Sequence, residues 1–128
     1  MVSVPKPEPK KKRGRKKLPS LPSLIHKADR LFSKFVRERD KFVCVTCGKP
    51  GNHAGHYIRR MHKKARWDVR NVNCQCNYCN TYLDGNMDAY AIFLVNKYGI
   101  YILNELQALK GPHKPSRDEL NRIILAYS

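Results

Sequence analysis

Apolar positions recur at helical spacing before the first cysteine and again after residue 86. The first stripe is Leu24, Ala28, Leu31, Phe35 and Val36. It predicts an amphipathic helix over residues 23–40, with Ser23 as the N-cap. The later stripes are Tyr90, Phe93, Leu94 and Tyr98, then Ile100, Leu103, Leu106 and Leu109, then Leu120, Ile123, Ile124 and Tyr127. Gly99 separates the first two, and Ser116 opens a capping box with Glu119 before the last, so residues 87–128 are predicted to be helical.

The middle of the chain has a pattern that favours strands. Residues 53–58 predict a first strand, and the apolar positions within residues 67–72 predict a second that returns toward the core. Residues 59–64 between them form a basic loop, and a helix is expected from Cys76 to about Leu83. The order strand, loop, strand, helix, flanked by further helices, predicts an α+β fold.

The positive charge of the chain is large and begins at the amino terminus. The formal net charge is +16 and the pI is about 10.0, which indicates a polyanionic partner and most economically nucleic acid. Residues 1–22 combine prolines with a basic run and offer no apolar face, so we expect a disordered tail before one domain over residues 23–128. Four residues of this tail are candidate DNA contacts: Lys11, Lys12, Arg13 and Arg15. A solvated tail and a nuclear-import signal are the alternatives.

Four of the five cysteines form two C-x-x-C pairs, Cys44 with Cys47 and Cys76 with Cys79. Each short knuckle can aim two thiolates at one tetrahedral ion, so the spacing predicts a structural zinc site. Two unrelated pairs of reduced cysteines are the alternative. Cys74 offers a competing register, and we interpret it as a buried structural thiol. The pattern is unlike a disulfide scaffold and favours a reducing cytosol; no run approaches about 18 apolar residues, so no membrane span is expected.

One histidine and two asparagines stand in register with these cysteines. His56 lies between the two pairs, Asn71 stands five residues before Cys76, and Asn80 directly follows Cys79. An imidazole titrates near neutrality and can take a proton from a water nucleophile. An asparagine supplies an oxygen of the kind that Mg²⁺ binds, and a divalent cation can neutralise charge that builds up on a phosphate.

Residues 42–86 resemble the HNH nuclease motif in an H-N-N variant. The resemblance implies a ββα-metal core clasped by structural zinc. His56 would be the general base, and Asn71 would hydrogen-bond the loop that bears it. Asn80 would hold the catalytic ion, Mg²⁺ or Mn²⁺.

One position departs from that motif. In many HNH enzymes the residue before the catalytic histidine is Asp or His and binds the metal, whereas here it is Gly55. Either His53 or Asn86 takes its place, or the ion is held by Asn80, phosphate and water alone. His62 is a second candidate for the base.

A closer resemblance is carried by five short runs of sequence. These runs are Ala54–Tyr57, Arg66–Val72, Gln75–Cys76, Cys79–Asn80 and Gly85–Asn86. They resemble the NinG (Rap) family of phage recombination nucleases, with a similarity that runs from about Leu31 to the C-terminus and leaves the basic tail outside. The resemblance implies a structure-selective endonuclease that cleaves branched DNA, such as Holliday junctions and D-loops, in the cytoplasm of the bacterial host.

The leading hypothesis is therefore a DNA endonuclease, and two alternatives remain. The candidate phosphate contacts beside the base are Arg59, Arg60, Lys63 and Lys64. Symmetric cutting of a junction needs two active sites, so the C-terminal helices either form a homodimer interface or only cover the core. The first alternative is an HNH nicking or homing endonuclease acting on plain duplex. The second is a zinc-dependent DNA-binding module without catalysis, in which His56 and Asn80 are structural.

Overall fold

A computed structural model describes residues 17–128 and confirms the α+β class. Its elements in chain order are α1 (Leu21–Arg39), β1 (His53–His56), α2 (Lys63–Arg66), β2 (Val72–Gln75), a π-helical turn (Tyr78–Tyr82), α3 (Met87–Tyr98), α4 (Ile102–Gln107) and α5 (Arg117–Tyr127). The predicted DNA contacts in the basic tail, within residues 11–15, lie outside the described residues. Among residues 17–128, no helix has both the length and the apolar character needed to cross a membrane.

Helix α1 begins two residues earlier than the sequence pattern predicts. Its N-cap is Ser20, whose hydroxyl accepts a hydrogen bond from the backbone N–H of Ser23 at 3.2 Å. Pro22 fits in the first turn because that turn does not need its N–H. The predicted N-cap at Ser23 and the predicted helix start at residue 23 are therefore wrong. The buried face consists of Leu24, Ala28, Phe32 and Val36.

The two strands pair antiparallel, with His53 opposite Gln75 and His56 opposite Val72. The predicted position of the second strand is wrong, because Trp67 ends α2 and the strand begins only at Val72. An aspartate turn separates the two, in which the Asp68 carboxylate accepts the backbone N–H of Arg70 at 2.9 Å.

Three other boundaries in this region also differ from prediction. The first strand ends at His56 rather than at residue 58. The basic loop of residues 59–64 gives way to the one-turn helix α2. The predicted helix from Cys76 to Leu83 is only a single π-helical turn, which ends when the backbone N–H of Leu83 bonds to the carbonyl of Tyr78 at 2.9 Å.

Two hydrophobic clusters hold the segment between the strands. The first packs α1 and α5 on the sheet and contains Leu24, Ala28, Phe32, Val36, Trp67, Val72, Leu120 and Ile124. The second packs α3 and α4 on the segment after β1 and contains Ile58, Ala65, Tyr90, Leu94, Ile102 and Leu106. Because Trp67 belongs to one cluster and Ala65 to the other, the chain around Arg66 is fixed by both.

In the C-terminal helices the break at Gly99 and the cap at Ser116 lie where they were predicted, but the predicted apolar stripes do not match the buried residues throughout. Gly99 ends α3 with a φ of +99°, and the Ser116 hydroxyl caps α5 by accepting the Glu119 N–H at 3.1 Å. The Glu119 carboxylate bonds to His113 at 3.0 Å instead of closing a capping box. Ile100, predicted on an apolar stripe, is 73% exposed because α4 begins after it and buries Ile102.

Candidate functional site

Four cysteines converge at one end of the sheet. The Sγ atoms of Cys44, Cys47, Cys76 and Cys79 all lie within 4.8 Å of one another, and those of Cys47 and Cys76 are 3.6 Å apart. A tetrahedral zinc ion with Zn–S bonds of about 2.3 Å would place its sulfurs about 3.8 Å apart. The four thiols therefore fit one zinc ion, as the sequence predicts.

Hydrogen bonds to the sulfur atoms prepare this site for a cation. The Thr46 hydroxyl lies 3.1 Å from Cys44 Sγ, the backbone N–H of Cys79 points at Cys76 Sγ, and the Asn86 amide points at Cys79 Sγ. Burial opposes ionisation of Cys44, but hydrogen bonds from Thr46 and nearby backbone N–H groups outweigh it and lower the pKa of this thiol to about 6. Thiolate is the form that binds zinc.

Cys74 is not part of the cluster. It lies on β2 opposite Ala54 and is fully buried. Burial, together with the nearby charge of Asp40, raises the pKa of its thiol. The predicted burial of Cys74 is therefore confirmed.

His56 and Asn80 both line one cavity of about 530 Å³, and His56 also lines another cavity of about 320 Å³ on its α1 side. The larger cavity lies between the strand end, the π-helical turn and the end of α4. Its other lining residues are Ala54, Tyr57, Ile58, Arg59, Arg60, His62, Asp84, Gly85, Met87, Gln107 and Lys110. Three cations and one carboxylate therefore face this space with the two predicted side chains.

The proton on the His56 ring is placed by a backbone carbonyl. His56 Nε2 lies 3.0 Å from the carbonyl oxygen of Arg66. A carbonyl can only accept, so Nε2 carries the hydrogen and Nδ1 keeps its lone pair. Burial of the ring, with a smaller contribution from the charges of Arg60 and Arg66, lowers the pKa of His56 to about 4. The ring is therefore neutral at pH 7.

Asn71 ties together the two ends of the segment that follows His56. Its Oδ1 accepts the backbone N–H of Ile58 at 2.7 Å. Its Nδ2 donates to the carbonyls of Ile58 at 3.1 Å and of Ala65 at 3.0 Å. The side chain is fully buried, so these bonds form without competition from water and fix the loop between residues 58 and 65.

Asp29 on α1 holds the Arg66 end of that segment, and sequence reasoning missed it. Its carboxylate accepts hydrogen bonds from Arg66 Nε at 3.0 Å, Trp67 Nε1 at 3.0 Å and Arg60 Nη2 at 3.1 Å. Partial burial opposes the charge, but the hydrogen bond from Arg66 and the charges of Arg66 and Arg60 lower the pKa of Asp29. The available signal was that Asp29 is the one acid between residues 18 and 37.

The side chain of Gln75 on β2 requires glycine at position 55 of β1. A Cβ atom on Gly55 would lie 1.9 Å from Gln75 Oε1. Gln75 is fully buried, and its Nε2 donates to the carbonyl of Gly85 at 2.8 Å. Its Oε1 has no hydrogen-bond partner among residues 17–128. An aspartate or histidine at position 55 therefore has no room, and a metal ligand cannot come from that position.

The other candidate ligands divide between the two sites. Asn80 lines the cavity beside His56, whereas Asn86 donates to Cys79 Sγ at 3.6 Å and so belongs to the zinc site. His53 is exposed at the start of β1, and the residues lining the cavity do not include it. Asn80 is thus the predicted oxygen ligand that the fold brings to His56.

Of the four predicted phosphate contacts beside His56, two line the cavity and two lie outside it. Arg59 and Arg60 line the cavity, and each is paired with a carboxylate: Arg59 with Asp84 at 3.6 Å and Arg60 with Asp29 at 3.1 Å. Lys63 and Lys64 lie on α2 outside the cavity. Two other residues line the cavity instead: Gln107, which is the last residue of α4, and Lys110, which follows that helix. Sequence reasoning missed both because they follow an apolar stripe about 50 residues from His56 in the chain.

Comparison with known proteins places this chain in a family. Residues 5–128 match the family model described as the bacteriophage lambda NinG protein. The chain belongs to the NinG family. The resemblance to NinG is confirmed, and its predicted start near Leu31 is wrong because the match begins at residue 5 and includes most of the basic tail.

The curated NinG proteins of three phages are similar to this chain. Those of Salmonella phage P22 and Escherichia phage 933W are each 31% identical over 108 residues, and that of Escherichia phage lambda is 29% identical over 108 residues. Each match covers 80% of this chain and 53% or 54% of the relative. The chain therefore spans about half the length of the curated NinG proteins it matches. No solved structure matches it.

Proposed function

We propose that this protein is a metal-dependent, structure-selective DNA endonuclease that cleaves branched DNA, such as Holliday junctions and D-loops, during phage recombination. The observation that carries the proposal is the pairing of His56 and Asn80 in one cavity. The His56 ring presents an unprotonated Nδ1, since its Nε2 is engaged by the Arg66 carbonyl. A base and an oxygen ligand that line the same cavity are what hydrolysis of a phosphodiester requires.

The order of elements supports an HNH-like core. Two antiparallel strands are followed by a turn that carries Asn80, and the cysteine pairs bracket the two strands, with Cys79 inside the turn. In this arrangement zinc is structural, because four protein ligands leave no open position for substrate. A bound zinc ion would fix Cys79, and because Asn80 is the next residue, it would also fix that wall of the cavity.

The residues that line the cavity have separate roles in the proposed hydrolysis. His56 Nδ1 accepts the proton of the attacking water, and the Arg66 carbonyl holds the ring in the tautomer that can do so. Asn80 Oδ1 would hold Mg²⁺ or Mn²⁺, which when bound neutralises the charge that develops on the phosphate and the departing oxygen. Lys110 and Arg59 attract the phosphate to the cavity.

Selectivity for branches would come from DNA geometry, because phosphate contacts carry no sequence information directly. The net charge of +16 supports a DNA partner. A homodimer would bring two cavities to one junction, and the exposed apolar residues Ile92, Ile100 and Tyr101 on the α3–α4 unit offer a surface for it. Sedimentation of the protein with and without junction DNA would test this part of the proposal.

The central test compares a labelled four-way junction with a linear duplex of matched sequence. The protein is incubated with Mg²⁺ or with no divalent cation, in its native form and as His56→Ala. Junction cleavage that needs both Mg²⁺ and His56 is the expected result. His53→Ala is the matched control, because His53 is an exposed histidine that lines neither of the cavities that His56 lines.

The same assay separates the alternatives. Equal cutting of the duplex would indicate a nicking or homing endonuclease. Tight binding without cleavage by the native protein would indicate a zinc-dependent DNA-binding module. One observation favours that module: Gln75 occupies the space at Gly55 from which many HNH enzymes supply a metal ligand.

A further inference from the structure

His62 lies between two cavities. It lines the cavity that contains His56 and Asn80, and it also lines a neighbouring cavity of about 460 Å³. The residues around the second cavity are Met61, Lys63, Gly111, Pro112, His113 and Lys114. Two acidic side chains lie near these cavities within residues 17–128, and each already has a partner: Asp84 pairs with Arg59, and Glu119 pairs with His113.

The tautomer of His62 is fixed in the sense opposite to that of His56. His62 Nδ1 lies 3.0 Å from the backbone nitrogen of Gly111, 49 residues later in the chain. A backbone N–H can only donate, so Nδ1 accepts and Nε2 carries the hydrogen. The Gly111 backbone has a φ of +129°, which a residue with a side chain rarely adopts, so glycine permits this approach.

This geometry excludes His62 as the base, because the lone pair that a base needs is already used. The available group is the Nε2–H donor at the wall of a cavity lined by cations. We propose that His62 Nε2–H donates a hydrogen bond to a non-bridging oxygen of the phosphodiester held in the cavity beside His56. This inference rests on the proposed function of that cavity.

The pair of histidines then has complementary roles set by the backbone. The Arg66 carbonyl makes His56 an acceptor, and the Gly111 N–H makes His62 a donor. No proton leaves His62 during the reaction; its N–H stabilises negative charge that increases on the phosphate oxygen in the transition state. The loop of residues 111–114, which is far from the strands in sequence, therefore contributes to the site by setting the tautomer of His62.

Two substitutions separate this role from a merely structural one. His62→Asn places an amide oxygen where Nδ1 was, so it can still accept the Gly111 N–H, but it does not reach the position of Nε2. His62→Gln places an amide nitrogen near that position and so restores a donor. We expect single-turnover junction cleavage to fall about 10²-fold in His62→Asn and to recover in large part in His62→Gln. Both variants should keep the native zinc content; His62→Asn should also keep the native melting temperature, whereas His62→Gln leaves the Gly111 N–H without its acceptor and should melt somewhat lower.

A second measurement does not depend on cleavage. Full-length, zinc-loaded protein with ¹⁵N-labelled histidine is titrated with inorganic phosphate and observed by NMR. The His62 signals should show hydrogen on Nε2, and the Nε2 resonance should shift on titration, while the exposed His53, which lines neither cavity, serves as the internal control for non-specific effects. The shift should vanish in His62→Asn.

The outcomes are distinguishable from failure of the proposed function. If the native protein cleaves no DNA but phosphate still shifts His62 Nε2, the endonuclease proposal fails and the anion donor stands. Native cleavage with an undiminished rate in His62→Asn overturns the role of His62. An equal loss in His62→Gln and His62→Asn, hydrogen on Nδ1, or no response of Nε2 to phosphate also overturns it.

Discussion

The Nε2 atom of His56 lies 3.0 Å from the carbonyl oxygen of Arg66, ten residues further along the chain. The Arg66 side chain and the Trp67 ring are in turn both bound by Asp29 of α1. The direction of the His56 lone pair therefore depends on a carboxylate that does not touch the ring.

Replacing Asp29 with Asn should lower both stability and cleavage. The amide cannot accept from Arg66, Trp67 and Arg60 as the carboxylate does, so we expect a loss of about 1–3 kcal/mol in the free energy of unfolding. Denaturant titration measures this loss. NMR of labelled histidine should show His56 populating both tautomers.

The control for this change is Glu38→Gln, which alters the other acid of α1. Glu38 pairs with Lys34 at 4.0 Å across an exposed surface, so its removal should change stability by less than about 0.5 kcal/mol. Equal losses in the two variants would contradict a special role for Asp29.

Removing one zinc ligand should unfold the centre of the protein. Cys76→Ser takes away one of four thiolates, and metal binding is coupled to folding in sites of this size. We expect loss of bound zinc, measured by elemental analysis, together with a large drop in melting temperature. Cys74→Ala is the matched control and should retain one zinc ion per chain, because Cys74 lies outside the cluster. Unchanged zinc content in Cys76→Ser would show that the ligand assignment is wrong.

Acid should destabilise the fold through His56. In the unfolded chain this ring gains a proton as the pH falls through about 6.5, whereas burial holds its folded pKa at about 4. Between these values the unfolded state binds more protons, so stability falls as the pH is lowered from about 6.5 toward 4.

The measurement is the free energy of unfolding across that pH window for the native protein and for His56→Gln. The native protein should lose more stability than the variant, which has no imidazole to protonate at this position. Parallel curves for the two proteins would mean that the ring is not held neutral by the fold.

Adding a side chain at position 55 should destabilise the protein, because it would overlap the side chain of Gln75. A Cβ at position 55 would overlap Gln75 Oε1, so Gly55→Ala should destabilise the protein by about 1–3 kcal/mol. Gln75→Ala removes the overlapping atom, and the double variant should therefore lose less than the sum of the two single changes. Strict additivity in this double-mutant cycle would contradict the contact.

Deleting residues 1–17 should weaken DNA binding without abolishing cleavage. The deletion removes eight basic residues. For every phosphate that these residues neutralise, their removal should reduce the slope of log affinity against log salt by about 0.9. Binding isotherms at four or five salt concentrations give that slope. An unchanged slope would show that the tail does not bind phosphates.

Sequence reasoning succeeded where the determinant is local. The two cysteine knuckles, the break at Gly99 and the cap at Ser116 each depend on a few neighbouring residues, and the structure has them where predicted. The register of Asn80 beside Cys79 is local in the same sense, which is why it placed Asn80 at the cavity.

It failed where distant residues decide the conformation. Trp67 looks like a strand residue, yet its ring is held by Asp29, 38 positions earlier, and the strand begins later. Lys110 reaches the cavity only because α3 and α4 pack on the segment after β1. No periodicity within one element contains that information.

The π-helical turn places Cys79 and Asn80 on consecutive positions, one toward the sulfur cluster and one toward the cavity. Any agent that strips the ion or oxidises these thiols would also displace the neighbouring carboxamide. The proposed cleavage activity would then depend on bound zinc and on the reduced state of the thiols, so chelation or oxidation would inactivate the protein while every group in the cavity remains chemically intact.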